Sequence, residues 1–194
     1  MRKAEIKRKT KETDILVKLN LDGKGKSKVS TGIAFFDHML DLFTKHGLFD
    51  LEIKAKGDLA VDMHHTIEDI GICLGQAVKK ALGKKLGIRR FGSSAVPMDE
   101  TLSGVSIDIS NRPFLVFNIK AKAGAKEAFD VGLTREFLRA FCNNAGITMH
   151  VNLPYGQDAH HINEAIFKSL SIALKQAVST EKRRKGIPST KGRL

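Results

Sequence analysis

The sequence predicts an α+β chain made by internal duplication: two similar halves, each a β-sheet covered on one face by helices in a two-layer arrangement. Three observations lead there. The pattern His-His-x-x-Glu occurs twice, as His64-His65-Thr66-Ile67-Glu68 and His160-His161-Ile162-Asn163-Glu164, 96 positions apart (64 to 160) in a chain of 194 residues. Each copy opens an apolar stripe at helical spacing. Around each copy the same order of helix, strand, loop and His-His helix recurs, the mark of a repeated supersecondary unit. Runs of strands between the helix pairs point to mixed or antiparallel sheets, not a doubly wound one. The expected division is a first repeat over residues 1–86, a second over 87–180 and a basic tail over 181–194, together one catalytic domain.

Apolar spacing justifies each element in turn. Ile15, Val17, Leu19 and Leu21 alternate with polar residues and predict a half-buried strand. Residues 23–30, rich in Gly, Lys and Ser, read as a loop. Phe35, Phe36, Met39, Leu40 and Phe43 fall at helical spacing until His46-Gly47 supplies a stop. Leu51, Ile53 and Ala55 alternate as a strand, and a loop from Gly57-Asp58 leads to the first His-His. The helix that follows turns Ile67, Ile70, Leu74, Val78 and Leu82 to one side and ends near Gly83. In the second half, residues 102–110 and 113–119 read as strands joined by a turn at Ser110-Asn111-Arg112-Pro113. Phe137, Leu138, Phe141 and Cys142 mark a helix ending near Asn144-Ala145-Gly146. Ile147, Met149 and Val151 form a strand, and Pro154-Tyr155-Gly156 a turn. The second His-His opens a helix with Ile166, Leu170, Ala173, Leu174 and Val178 inward. From Glu181 onward the chain is basic and punctuated by Gly and Pro, and by itself reads as a disordered end.

Composition narrows the functional classes. With 42% hydrophobic residues the chain can bury a proper core. No apolar run approaches a membrane span, and no apolar segment follows Met1-Arg2-Lys3 as in a secretory signal, so a cytoplasmic protein is expected. Cys73 and Cys142 sit among apolar neighbours and read as small buried hydrophobes. A net charge of +12 would suit a nucleic-acid binder. That charge is spread along the chain, however, and a single tyrosine with no tryptophan leaves few stacking platforms. An anionic small molecule such as a phosphate ester suits the same lysines and arginines, so the expected partner is a small phosphate substrate, with neither nucleic acid nor membrane.

Imidazole nitrogen with carboxylate oxygen is the ligand set of a borderline divalent metal. Offsets of three and four share a helix face, so each glutamate can meet a histidine of its own segment. Adjacent histidines point about 100° apart on a helix, so one pair serves two metals or two walls of one cavity. His38 and His150 would complete the set, and six histidines with Glu68 and Glu164 divide evenly into two sites of three His and one Glu. A lone His38 or His150 is more often structural; the duplication of the whole pattern favours ligands. His46 is left over, at a helix end where a histidine is welcome. Arg90, Arg112, Lys168 and the tail's Ser189-Thr190-Lys191 each suit a phosphate, since guanidinium forks, ammonium groups and hydroxyls bind that anion. Lys168 stands one helical turn beyond Glu164, on or near the metal face.

These motifs resemble one family. Arg8-Lys9-Thr10-Lys11-Glu12-Thr13, Phe36-Asp37-His38-Met39-Leu40, Asp62-Met63-His64-His65-Thr66-Ile67-Glu68-Asp69 and Val96-Pro97-Met98-Asp99-Glu100 occur in its order. They continue with His160-His161-Ile162-Asn163-Glu164-Ala165-Ile166-Phe167-Lys168 and Pro188-Ser189-Thr190-Lys191-Gly192, and so cover nearly the whole chain. The chain resembles the imidazoleglycerol-phosphate dehydratases of histidine biosynthesis. The resemblance implies a ribosomal protein S5 domain 2-like fold and two Mn2+ ions per active site, held by His38, His64, His65, Glu68, His150, His160, His161 and Glu164. It implies Glu12 as the catalytic carboxylate that also touches substrate. Substrate contacts would fall at His46, Arg90, Arg112, Lys168, Ser189, Thr190 and Lys191. One position departs: some members carry a glutamine four residues after the first ligand histidine, where this chain has Leu42. The family also implies a homo-oligomer, a 24-mer with active sites between subunits, in which the tail is a functional element.

The implied reaction removes water from D-erythro-imidazole glycerol phosphate to give imidazole acetol phosphate. Its difficulty is physical, because the carbon-bound proton has no adjacent carbonyl to acidify it. Metal coordination favours loss of the ring N–H proton, and the resulting imidazolate can expel the neighbouring hydroxyl. The rival reading is a dinuclear metal-dependent phosphoesterase, which would use the same ligands to activate water. Such sites usually hold a bridging carboxylate, and of Asp58, Asp62 and Asp69 only Asp62 has a second-half match, Asp158.

Overall fold

Strands with alternating inward apolar residues and helices with one apolar stripe set the architecture. A computed structural model describes residues 2–119 and 129–194. The order is β1 (Lys3–Lys9), β2 (Thr13–Asn20), β3 (Ser27–Ser30), α1 (Ala34–Gly47), β4 (Asp50–Gly57) and α2 (His64–Leu82). The second half runs β5 (Phe91–Met98), β6 (Thr101–Asp108), β7 (Phe114–Asn118), α3 (Val131–Ala145), β8 (Thr148–Tyr155) and α4 (Ala159–Val178). Each half forms a four-stranded mixed sheet, ordered β1-β2-β4-β3 and β5-β6-β8-β7. Both central pairs are antiparallel, and β3 and β7 run parallel to β4 and β8. The register repeats too: Val17 faces Ile53 as Val105 faces Val151, and all four are buried.

The expected α+β duplication is therefore the fold, with three strands that apolar spacing did not reveal. β1 carries only Ala4 and Ile6 as apolar inward residues, and Arg8 follows them on the same face. β3 is a four-residue edge strand within the expected loop. On β5 the inward residue Gly92 lies so close under α4 that a Cβ there would stand 1.9 Å from the Ala173 carbonyl oxygen. Close helix approach thus removed the bulky residue that would have marked that strand. The turn after β6 does not fold β7 back onto it, because β8 comes between them. Pro154 and Tyr155 end β8, and the turn follows at Gly156.

Helices α2 and α4 lie on β1–β2 and β5–β6 of their own halves, whereas α1 packs on α4 and α3 on α2. The helices therefore form an inner layer shared by both halves, with a sheet on each side. Phe36 of α1, Phe137 of α3 and Phe167 of α4 meet with ring centroids 5.3 to 6.2 Å apart, all fully buried. Each such side chain is worth roughly 1.5–3 kcal/mol by area removed from water. α2 and α3 approach through glycine: a Cβ at Gly71 or Gly75 would lie 2.6 Å from the carbonyl oxygens of Phe137 and Phe141. Gly71→Val should force these helices apart and destabilise the protein by about 1–3 kcal/mol. An unchanged denaturation midpoint would show that the helix contact yields without cost.

Candidate metal centre and anion cradle

Two aspartates start the His-His helices. The Asp62 carboxylate accepts from the His64 N–H at 2.7 Å, and Asp158, the N-cap of α4, accepts from the His161 N–H at 3.1 Å. These contacts satisfy helix-end donors and fix where the imidazoles leave the first turn. On α4, His160 Nε2 lies 3.0 Å from Glu164 Oε1, one helical turn on. Across the helix contact, His38 Nε2 of α1 lies 3.1 Å from the same oxygen. His38, His160 and Glu164 thus offer ligand atoms within 4.8 Å of one another. Lys168 Nζ donates to the other Glu164 oxygen at 2.5 Å. Burial would raise the Glu164 carboxyl, but the Lys168 ammonium and the two imidazoles outweigh it and hold it at about 2.

The first half has a looser counterpart. His64 Nε2 is 3.6 Å from Glu68 Oε2, and the Arg139 guanidinium of α3 stands 3.7 Å from Oε1. The second histidine of each pair bonds elsewhere. His65 Nδ1 is 2.9 Å from Asp58 Oδ2, and His161 Nδ1 is 2.7 Å from Glu100 Oε2. A carboxylate at Nδ1 fixes the ring and leaves Nε2 as the donor for a metal. These carboxylates raise the pKa of both rings. Glu100 is itself held below the usual carboxylate range, first by the Asp158 N–H and then by His161. Glu12 also acts on His65 through its charge, so the β1–β2 turn stands within Coulombic reach of α2. His150 is apart from these groups: it sits on the exposed face of β8, opposite Ser106 and Val116, while Met149 and Val151 face the helices.

A second cluster forms at the other end of β6. Arg90, Ser110, Asn111, Arg112, Ser189, Thr190 and Lys191 line a cavity of about 510 Å3. The Arg90 guanidinium is pinned by Asp108, at 2.7 and 3.2 Å, and donates to the Pro188 carbonyl at 2.9 Å. With Arg193 also on the lining, three arginines, a lysine and three hydroxyls surround one space and suit a tetrahedral anion. The tail is held by its own chain: Gly87 N–H donates to Gly186 O, and Arg184 to the carbonyls of Ile88 and Arg89. The end that composition alone reads as disordered is therefore a folded-back strap against residues 87–89. Lys168 and His46 lie outside this cradle. Lys168 stays with Glu164; His46 ends α1, where Lys175 donates to its carbonyl at 3.0 Å and burial with nearby Lys168 and Lys175 lowers its pKa. Leu42 packs half-buried against the core.

Sequence reasoning missed Asp108, which bonds Arg90, and the pairing of Asp58 and Glu100 with the second histidines. Glu100 was within reach of the repeat, because it stands in the β5–β6 turn where Glu12 stands in the β1–β2 turn. That equivalence needs β1 and β5, the strands with the weakest apolar signal.

A family model described as imidazoleglycerol-phosphate dehydratase matches residues 31–174. The chain is similar to the imidazoleglycerol-phosphate dehydratase of Thermoanaerobacter pseudethanolicus, 59% identical over 194 residues and covering 100% of both chains. It is 56% identical to that of Acetivibrio thermocellus over 193 residues, covering 100% of this chain and 99% of the relative. Among solved structures, the enzyme from Pyrococcus furiosus in complex with (S)-C348 matches with a TM-score of 0.85 at 40% identity, over 97% of this chain and 100% of that one. The Staphylococcus aureus enzyme matches with a TM-score of 0.83 at 38% identity, over 92% and 99%.

The pinning of Arg90 gives a direct test of the strap. Asp108→Ala should release Arg90 from Pro188 and speed tryptic cleavage of the tail about ten-fold, as expected for a lost charge-assisted hydrogen bond. An unchanged cleavage rate would show that the backbone contacts at Gly87 and Ile88 hold the tail alone.

Proposed function

The chain belongs to the imidazoleglycerol-phosphate dehydratase family, and from that premise we propose that it dehydrates D-erythro-imidazole glycerol phosphate to imidazole acetol phosphate with two Mn2+ ions held by its histidine–glutamate clusters. The activity itself is that of a hydro-lyase in histidine biosynthesis. The observation that carries the metal reading is the convergence of His38, His160 and Glu164 within 4.8 Å. The donor chemistry fits: two imidazoles and a carboxylate suit a divalent first-row ion, and Lys168 occupies the carboxylate oxygen that faces away from the rings. His64 and Glu68 would begin the second centre, with His65, His150 and His161 completing the two shells.

Bound there, the ions would orient the substrate's imidazole ring and favour loss of its N–H proton. The chain supplies the rest. Glu12, exposed on its turn near His65, moves the carbon-bound proton. Arg90, Arg112, Ser189, Thr190 and Lys191 grip the phosphate, and Lys168 holds the second oxygen of Glu164. His46 stands beside Lys168 on the flank of the site.

The same proposal includes a homo-oligomer, a 24-mer, with sites completed between subunits. Among the described residues, one chain brings three of the proposed ligands together at one centre and two at the other. The outer faces of the two sheets differ in a way that supports this. Across the first runs a row of alternating charge, Glu5, Lys18, Glu52 and Lys28, suited to water. Across the second runs a neutral row, Ser93, Ser106, His150 and Val116, beside exposed Phe91, Phe114 and Tyr155. A face with an uncharged middle row, exposed aromatics and a ligand-type histidine at its centre is suited to contact with another copy. A cytoplasmic location belongs to the proposal as well, supported by the buried, unpaired Cys73 and Cys142. Among the described residues no helix is long and apolar enough to cross a membrane.

Two measurements test this reading. Chelation should abolish formation of the ketone product, with Mn2+ restoring it in a comparison against Zn2+ and Mg2+. Release of inorganic phosphate without ketone would favour metal-dependent phosphoester hydrolysis instead. His150→Ala and Glu164→Gln should each be inactive alone and regain activity when dissociated, mixed and reassembled. Failure of the mixture to recover any activity would place His150 and Glu164 of a site in one subunit.

A further inference from the structure

The two halves use one turn in opposite ways. Val17 pairs with Ile6 on one side and Ile53 on the other, as Val105 pairs with Ser94 and Val151, so the β1–β2 and β5–β6 turns occupy equivalent places. Glu12-Thr13 in the first therefore answers to Glu100-Thr101 in the second, with both threonines buried. In the second half the glutamate is fully tied. Glu100 accepts from the Thr101 hydroxyl at 2.9 Å, from the N–H groups of Gln157 and Asp158 at 3.3 and 3.0 Å, and bonds His161 Nδ1 at 2.7 Å.

In the first half each of these partners is diverted or missing. His65 Nδ1 takes Asp58 at 2.9 Å. The Thr13 hydroxyl donates to Asp69 Oδ2 at 2.5 Å, and the Arg8 guanidinium to Asp69 Oδ1 at 3.0 Å. Asp69 is 7% exposed and lies on α2 beside Glu68; counted from the His-His pairs, its counterpart on α4 is Ala165, which offers nothing to Thr101. Arg8 likewise answers to Val96. The turn itself is closed by the Thr10 hydroxyl, which accepts from the N–H groups of Glu12 and Thr13 at 3.1 and 3.0 Å. The Glu12 carboxylate has no hydrogen-bond partner among the described residues.

We propose that Asp69 is a positioning residue for the dehydration: by holding Arg8 of β1 and Thr13 of β2, it latches the Glu12 turn to the histidine-bearing helix and keeps the Thr13 hydroxyl off the Glu12 carboxylate. The inference rests on the reading of Glu12 as the group that moves the carbon-bound proton. A carboxylate that accepts a neighbouring hydroxyl is a weaker base, and one on an untethered turn is a misplaced one. Asp69 removes both faults with a single side chain. In the half where the glutamate's task is to hold a histidine, the latch is absent and the threonine bonds the glutamate.

The test is steady-state kinetics of the assembled, Mn2+-loaded enzyme, with metal content measured on each variant. Asp69→Ala should lower kcat about 10²-fold, the cost of a misplaced catalytic group, with KM and metal content little changed. Adding Thr13→Val to it removes the released hydroxyl and should recover kcat about ten-fold; a purely structural role predicts a further loss. In a Glu12→Gln background, Asp69→Ala should cost nothing more. Equal losses in both backgrounds, or no recovery with Thr13→Val, would overturn the latch while leaving Glu12 in place. A near-normal rate for Glu12→Gln alone would remove the reading of Glu12 and the latch with it. If Asp69→Ala does not assemble, Asp69→Asn keeps the volume and removes the charge that holds Arg8, and the same cycle is run with it.

Discussion

The packing of each half's first helix across the other half's His-His helix is the constraint on which the rest depends. α1 lies on α4 and α3 on α2, locked by Phe36, Phe137 and Phe167 in one continuous core. Neither half could bury these faces alone, because each sheet covers only one side of its helices. The same contact carries His38 to within 3.1 Å of Glu164, a residue 126 positions away. The apolar joint that stabilises the duplication therefore also brings together His38, His160 and Glu164. Gly71 and Gly75 let the equivalent joint between α2 and α3 close, and there Arg139 of α3 reaches Glu68.

Duplication supplied two near-copies of every element, and their chemistry has since diverged. Glu164 has two imidazoles and an ammonium about it; Glu68 has one imidazole and a guanidinium. Glu100 is tied to His161, whereas Glu12 is left open by the Asp69 latch. The outer sheet faces have parted as well, one crossed by a charged row and one by an uncharged row through His150. These divergences rest on a few side chains at equivalent places, with a register shift between Leu102 and Gly104 found in the second sheet alone. Side chains at equivalent places can thus be read against each other as internal controls.

Much of the fold was legible because burial imposes periodicity. Four helices and strands β2, β4, β6, β7 and β8 showed apolar residues at the spacing their buried faces require. β1, β3 and β5 did not, for three different reasons: a charged strand with two apolar inward residues, a four-residue edge strand, and a glycine under a close helix. The sites divide in the same way. His160–Glu164 and His64–Glu68 follow from helix geometry alone, since one turn separates the partners. The tail motif was visible as chemistry but not as structure, because backbone hydrogen bonds to residues 87–89 order it without any apolar signal.

By itself the sequence determined the duplication, the ligand-type residues and the basic groups, because helical and strand periods and residue chemistry are local properties. It determined the family through the order of its motifs. Only the tertiary structure decided which of those residues meet: His38 with α4, Arg90 with the tail, and Asp69 with both strands of the Glu12 hairpin. It also set His150 apart on an outer sheet face. Such meetings join residues dozens to more than a hundred positions apart, and nothing in local periodicity encodes them. They follow from the shared core, which fixes how two similar halves pack.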